Sequence, residues 1–518
     1  MLLSLIVLRY GNRRLVSWLG FILALVTFHS RAQSLNIPWR GNAHDPQSSA
    51  VSTVPGQTLS QIHWQTPVDL APAFSGNDLL IHYGCPVITA SNTVIVPVKT
   101  NSSGGFRIEG HRGSDGLLLY ALNSDYSLPP HNWTPSYSPT LTPKNRVYFA
   151  GGGGTVYYRD NPDSPGGGVT GQLAFYGLTN FQSNANTYLT NVKISTPLTS
   201  DRYGNVYFGF YVAGSTPLNL RSGIARISFD GTGSWVSATN LVGDTNVVEV
   251  SHNCAAKFSN DSKNFYIAIA GSGSSYGYLA CVDSQSLALV SKIQLKDPYP
   301  LSAPNSSLSE SSSACPTIGP DGDVYFGVLE HNQGFNHYRG WLLHFDATLT
   351  QTKIPGAFGW DDTASIVPAS VVPSYHGSSS YLLCTKYNNY AGGGGDGVNK
   401  VAILDPFASE VDPITGATVM KEVLTVAGVT PDSEYRSPAH PDAVREWCIN
   451  TAVVDPFAKA VFVNSEDGRL YRWNLIHNAL DQVVTLTPGV GEAYTPTVIG
   501  MDGTVYAVNN ATLYAVGQ

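Results

Sequence analysis

One phrase recurs along this chain and constrains its fold more than any other feature. It opens on Pro or a small residue, continues as a short apolar strand, and turns on Gly, Asp or Asn. It then returns as a strand of Val-Tyr-Phe type. PTLTPKNRVYF from Pro139 to Phe149, PTIGPDGDVYF from Pro316 to Phe326 and PTVIGMDGTVY from Pro496 to Tyr506 are clear copies, with another from Pro197 to Phe208. Looser copies begin at Pro86, Cys254, Pro368 and Asn450. Asp-Gly between two alternating strands predicts a tight hairpin in which both central residues take positive φ.

A second phrase follows most copies: Gly or Asn, apolar residues at alternating positions, then Asp or Asn. It runs from Gly223 to Asp230, Gly277 to Asp283, Gly340 to Asp346, Asn399 to Asp405 and Gly468 to Asn474. This reads as a third strand closed by a turn-forming side chain. A more variable fourth strand, such as Leu287 to Leu295, leads into the next copy. Four strands recurring every ~60 residues are the mark of propeller blades. The fold class is therefore all-β: a single eight-bladed β-propeller of four-stranded antiparallel blades, with a seven-bladed ring as the alternative. The last copy ends at Val516 without a fourth strand, and the segment Gln61–Thr66 is a spare one. Pairing the two closes the ring and removes an exposed edge.

The ends and the composition set the address. Arg9, Arg13 and Arg14 precede an apolar run from Leu15 to Phe28, then Ser30, Arg31 and Ala32. That order predicts a signal peptide over residues 1–32 and a mature propeller over 33–518, secreted or periplasmic. The run is too short to span a bilayer and no later one is long enough, so no membrane span is expected after cleavage. A net charge of −8 with 13% charged residues excludes nucleic acid as a partner, which needs clustered Lys and Arg. The six cysteines, Cys85, Cys254, Cys281, Cys315, Cys384 and Cys448, are scattered, which leaves both disulfides and buried thiols open. Nothing in the sequence calls for more than one copy of the chain.

The repeat phrase, the entry segment from Ile37 to His44 (IPWRGNAH) and the Trp64 strand resemble the PQQ-like propeller superfamily of exported bacterial proteins. That resemblance covers almost the whole mature chain and implies an eight-bladed quinoprotein-type ring. In its enzymes it implies pyrroloquinoline quinone and Ca²⁺ at the propeller centre. Their tryptophan-docking phrase, Ala-x-Asp-x-x-x-Thr-Gly-x-x-x-Trp, is missing here. Its nearest echoes, Ser114 to Gly116 and Asp412 to Gly416, lead to no Trp. An adjacent Cys-Cys pair and a CxxCH haem site are absent as well.

Propeller geometry says where a site sits, because loops entering the innermost strands gather at one mouth of the channel. Those loops supply His82 and Tyr83, Trp133 and Tyr137, His252 and Asn253, Asp361 and Asp362, Glu446 and Trp447, and Glu492 and Tyr494. The candidate ligand-binding residues are His82, Tyr83, Trp133, His252, Asp362, Glu446, Trp447 and Glu492. Carboxylates, imidazoles and aromatics at one mouth suit a cation or a sugar. The glycine runs at Gly151–Gly154 and Gly392–Gly395 precede strands, so they lack the helix N-terminus of a phosphate loop. No catalytic residue and no metal site is assigned. The reading is a non-catalytic binding scaffold for a protein or carbohydrate partner, without a cofactor. The alternative is a periplasmic dehydrogenase using PQQ and Ca²⁺.

Overall fold

The computed structural model describes residues 37–75, 78–79, 83–102, 104–130, 136–271, 276–308, 314–332, 334–489 and 491–518. The expected signal segment, His82 and Trp133 lie outside them. The chain forms eight antiparallel blades around one axis. Their innermost strands are Val87–Ile88, Thr140–Leu141, Thr199–Ser200, Lys257–Phe258, Thr317–Ile318, Ser365–Pro368, Val453–Asp455 and Val498–Ile499. These strands number blades 1 to 8 in chain order. Pro368 thus ends the innermost strand of blade 6 rather than opening the copy, which starts a few residues earlier. In blade 5 the outermost position is held by two isolated bridges, Phe345 to Thr352 and Leu342 to Gly356, instead of a regular strand.

The strand Gln61–Pro67 pairs antiparallel with Thr512–Gly517, so the N-terminal segment completes blade 8 as its outermost strand. The Asp-Gly turns are three-residue loops rather than the two-residue kind. Gly322 and Gly503 have φ of 94° and 88°, while the aspartates before them stay in the ordinary region. In such a loop only the closing residue is left-handed, and Asn92 and Asn145 fill that position in blades 1 and 2. Three short helices, Leu178–Ser183, Ala185–Asn191 and Ala238–Val242, depart from the all-strand expectation. Each has fewer than two full turns, too few for a helical period to show.

The recurring tyrosine explains why the phrase repeats. Tyr207, Tyr266, Tyr325 and Tyr506 are buried at equivalent places in the second strand of their blades. Each hydroxyl crosses to the following blade. Tyr207 donates to the Ser284 carbonyl at 2.8 Å, Tyr266 to Ala347 at 2.7 Å, and Tyr506 to Gly113 of blade 1 at 3.3 Å. Tyr325 meets the Tyr381 hydroxyl at 2.7 Å. The terminal carboxylate or amide of the third strand holds its own turn. Asp283, Asp346, Asp405 and Asn474 each accept the backbone N–H two residues on.

The centre of the ring is closed by the chain itself. Residues 39–50 wind around the axis and offer their carbonyls to the inner strands in turn. Trp39 accepts from Ile88, Arg40 from Leu141, Pro46 from Phe258 and Gln47 from Ile318. Ser49 accepts from Ile366 and Ala50 from Val454, all within 2.7–2.9 Å. Six blades are tied this way. The turn of the plug at Gly41–His44 passes blade 3, and Lys257 of blade 4 reaches in to the Asn42 carbonyl at 2.6 Å. So tight a coil needs unusual backbone, and Ala43, His44, Ser48 and Ala50 all have φ between 52° and 82°. The amides it satisfies sit near the turns joining first and second strands, so the plug lies toward that end of the channel. The opposite end remains for a site.

Candidate functional site: an acidic cup over blades 6 to 8

The mouth opposite the plug is built from two sets of loops. One set enters the innermost strands, and the other joins second and third strands. Over blades 6, 7 and 8 they enclose a cavity of about 290 Å³. Asp361 and Trp360 come from the loop into blade 6, Glu446 and Cys448 from that into blade 7, and Glu492 and Tyr494 from that into blade 8. Tyr390 and Glu466 come from the second set. Asp432, Glu434, Tyr435 and Arg445 belong to the long excursion after blade 6, pinned by bridges from Pro431 to Val444 and Ser437 to His440.

Alternation along an extended segment decides which side chains reach the cup. Glu446 and Cys448 face it, while Trp447 between them is fully buried and packs on Tyr471 at 5.6 Å between centroids. Asn388 fixes this arrangement by bonding both the Trp447 N–H and its carbonyl. Asp361 and Asp362 divide in the same way. Asp361 accepts from the Tyr494 hydroxyl at 3.0 Å, and Lys386 Nζ stands 3.1 Å from that hydroxyl. Asp362 lies beneath the cup, accepting from the Thr385 hydroxyl and the Lys386 N–H.

The floor of the cup is electrostatically strained. Burial raises the Glu446 carboxyl to about 8, with the negative charge of Glu466 as the next cause. Burial also raises Glu466 to about 7 against the pull of the Cys448 thiol and Arg445. The Cys448 thiol donates to Glu466 at 3.2 Å, and burial holds its pKa well above the usual thiol range. Arg445 answers part of this charge, lying 3.3 Å from Glu466 and 3.2 Å from Asp432. The donor atoms of Glu446, Cys448 and Glu466 lie within 4.8 Å of one another. Burial and mutual repulsion thus favour the protonated form of both glutamates relative to an exposed carboxyl.

The other residues singled out in the sequence lie elsewhere. Tyr83 is buried and donates to Asp69 at 2.9 Å, beside the buried Lys99–Asp69 ion pair. His252 is buried with Nε2 3.3 Å from Glu249, which lines a separate open groove of about 700 Å³ over blades 3 and 4. Glu446, Glu492, Asp361 and Tyr494 are therefore the sequence-selected residues that meet. Glu466 and Tyr390 stand on loops joining second and third strands, outside the loops into the inner strands to which the sequence points. The long spacing between Pro368 and Asn450 was the visible trace of the wall carrying Asp432 and Tyr435.

No family model matches this chain, and no curated protein matches it. Solved structures do. A europium-containing methanol dehydrogenase superposes with a TM-score of 0.55 at 8% identity, over 92% of this chain and 89% of that one. A quinohemoprotein alcohol dehydrogenase from Comamonas testosteroni gives 0.53 at 11% identity, over 93% and 81%. Sqt1 from Saccharomyces cerevisiae gives 0.50 at 10% identity, over 90% and 100%. What these structures share with this chain is the β-propeller fold. At such identities the likeness concerns architecture, and chemistry has to be read from the side chains. Pyrroloquinoline quinone, which the sequence resemblance implies, is a tricarboxylate, and the cup would present it with Asp361, Asp432, Glu434, Glu446, Glu466 and Glu492. Among the described residues Arg445 lines the cup but is paired with Asp432 and Glu466, and Lys386 at its base is bonded to the Tyr494 hydroxyl. The donor set does not fit the quinone. All six cysteines are free thiols, five buried and Cys448 half-buried. No helix among the described residues is long and apolar enough to cross a membrane.

Proposed function

We propose that this protein is an exported binding propeller whose cup captures a positively charged, hydroxyl-bearing ligand of amino-sugar size. The observation that carries this reading is the cup itself: six carboxylates and the rings of Trp360, Tyr390, Tyr435 and Tyr494 around about 290 Å³. Carboxylates attract an ammonium group, aromatic faces stabilise it and stack on a sugar ring, and the glutamates bond its hydroxyls. The plug makes the cup a blind pocket, which suits retention of a ligand rather than passage. The N-terminal signal pattern supports export, and mature residues from 33 onward carry the whole ring. A second reading, a dehydrogenase using quinone and Ca²⁺, draws on the names of two solved structures of like fold and is opposed by the cup's charge.

Calorimetric titration with glucosamine and chitosan oligomers, beside their N-acetylated forms, tests the proposal. The amines are expected to bind and the acetylated forms to bind at least tenfold more weakly. Equal binding of both forms, or none of either, would sink the reading. Dye reduction with an alcohol after incubation with quinone and Ca²⁺ would establish the second one instead.

A further inference from the structure

Three buried histidines, His44, His111 and His344, share one arrangement: each ring stands between a backbone carbonyl and a carboxylate. His44 of the plug has Nε2 3.3 Å from the Ile37 carbonyl and Nδ1 3.2 Å from Asp45. His111, in the third strand of blade 1, has Nδ1 2.9 Å from the Gly116 carbonyl and Nε2 2.9 Å from Glu109. His344, in the third strand of blade 5, has Nδ1 3.2 Å from the Ile354 carbonyl and Nε2 3.0 Å from Asp323. Each ring also lies against an aromatic: Trp39 at 4.9 Å, Trp64 at 5.7 Å and Tyr325 at 4.4 Å between centroids.

The chemistry of those partners fixes the direction of the bonds. A carbonyl only accepts, and so does an ionised carboxylate, so an imidazole between them donates from both nitrogens. The carboxylates are kept ionised by donors of their own. Arg107 Nε donates to Glu109 at 2.7 Å, Lys353 Nζ pairs with Asp323, and Asp45 accepts the amides of Gln47 and Ser49 at 3.0 Å each. Burial alone would raise these carboxyls, yet hydrogen bonds, the histidine's foremost, hold all three below their ordinary range. Further out stand Lys257 near Asp45 with Cys85 behind it, the Arg112–Asp115 pair after His111, and Asp321 and Tyr381 behind Tyr325.

The three stand at junctions that no regular strand ladder secures. His44 ties the plug back to the entry segment at Ile37. His111 lies under Trp64 at the seam between blade 8 and blade 1. His344 grips the segment 352–356, which holds the outermost place in blade 5 by two isolated bridges. We infer that these histidines are proton-held clasps: each is an imidazolium while its junction is closed, and loss of that proton to solvent loosens the plug, the seam and the edge of blade 5. A neutral ring turns one bare nitrogen onto an oxygen and forfeits a charge-assisted bond. Stability from an imidazole that folding keeps protonated is fully present below the ordinary histidine value of about 6.5 and is lost as pH rises and the folded ring gives up its proton. The ring is thus fastened in mildly acidic surroundings and loosens in alkali.

The experiment is nitrogen-15 NMR of the full mature chain with labelled histidine, titrated from pH 5 to pH 9. At about pH 7.5, where an ordinary histidine is mostly neutral, at least three rings should carry protons on both nitrogens. His44→Gln, His111→Gln and His344→Gln should each remove one of those signals. Thermal unfolding gives a second readout. Each variant should melt roughly 2–4 °C below the parent at pH 6, and the gap should close by pH 9. The carboxyls of the cup are the same in both chains, so their own titration cancels from that gap. Fewer than three doubly protonated rings at pH 7.5 overturns the inference, and so does a gap that stays constant with pH. The spectrum of the parent chain decides the matter even where a variant fails to fold.

Discussion

The indole Nε1 of Trp64 donates to the carbonyl of Gly113 at 2.8 Å, joining the outermost strand of blade 8 to blade 1. The Tyr506 hydroxyl reaches the same carbonyl at 3.3 Å, and the Trp64 ring stacks on His111 at 5.7 Å. This is the seam of the ring, where residues distant in sequence must find each other. Trp64→Ala removes a buried ring and its hydrogen bond, and should cost about 3–5 kcal/mol in urea unfolding. Trp64→Phe keeps most of the packing and should cost about 1–2 kcal/mol. Gly116→Ala belongs to the same seam, because a Cβ there would stand 2.6 Å from the Trp64 ring at a φ of 72°.

The plug predicts an acid-sensitive step. Asp45 accepts the amides of Gln47 and Ser49 at 3.0 Å each and lies 3.2 Å from His44 Nδ1. Those partners outweigh the opposing effect of burial and bring its carboxyl down to about 2. A depressed carboxylate contributes stability above its unfolded pKa and loses it as pH falls through the folded one. Asp45→Asn should therefore cost roughly 2 kcal/mol at pH 6, and the difference from the parent should vanish between about pH 4 and pH 2. A gap that stays constant with pH would mean that Asp45 acts through shape alone.

The ring was legible because its signals are local and repeated. The hairpin turns, the Val-Tyr-Phe strands and the Asp or Asn closing most third strands are contiguous phrases, and the same physics made them recur from blade to blade. The closing strand at Trp64 was legible as a leftover. The plug was not, since residues 39–50 carry no strand period and act through backbone carbonyls that no side-chain pattern reports. The cup was half legible. Loops into the inner strands named Glu446, Glu492, Asp361 and Tyr494. Glu466, Tyr390 and Asp432 approach from loops whose convergence exists only in three dimensions. Trp447 shows the remaining difficulty: one residue's shift along an extended segment exchanges a cup side chain for a core one.

Thiol chemistry should separate Cys448 from the rest. Cys85, Cys254, Cys281, Cys315 and Cys384 are buried, and burial lifts Cys85 to about 12 and Cys281 to about 11. A thiol-reactive dye should leave these five unmodified in the native protein and label all six after unfolding. Cys448 opens on the cup and should react slowly, and a bound amino sugar should protect it. Protection by the amine and none by its acetylated form would connect this thiol to the proposed ligand.

Glu446 and Glu466 supply the sharpest test of the cup, because their effect on stability has the opposite sign to that of Asp45. With carboxyls raised to about 8 and about 7, the folded protein holds protons that the unfolded chain has already released above its ordinary glutamate range. Stability from this pair is therefore fully present below about pH 4.5 and is lost as pH rises through 7 and 8. Glu446→Gln fixes a neutral group in place, so it should match the parent at pH 5 and exceed its melting temperature at pH 9 by roughly 2–4 °C. The same substitution removes the charge that an ammonium ligand needs, so affinity for glucosamine should fall at least tenfold while the protein becomes more stable in alkali. Stability gained and binding lost in one variant is the behaviour of a site that holds unfavourable charge for a partner. A variant that loses both would place Glu446 among the residues that merely support the mouth.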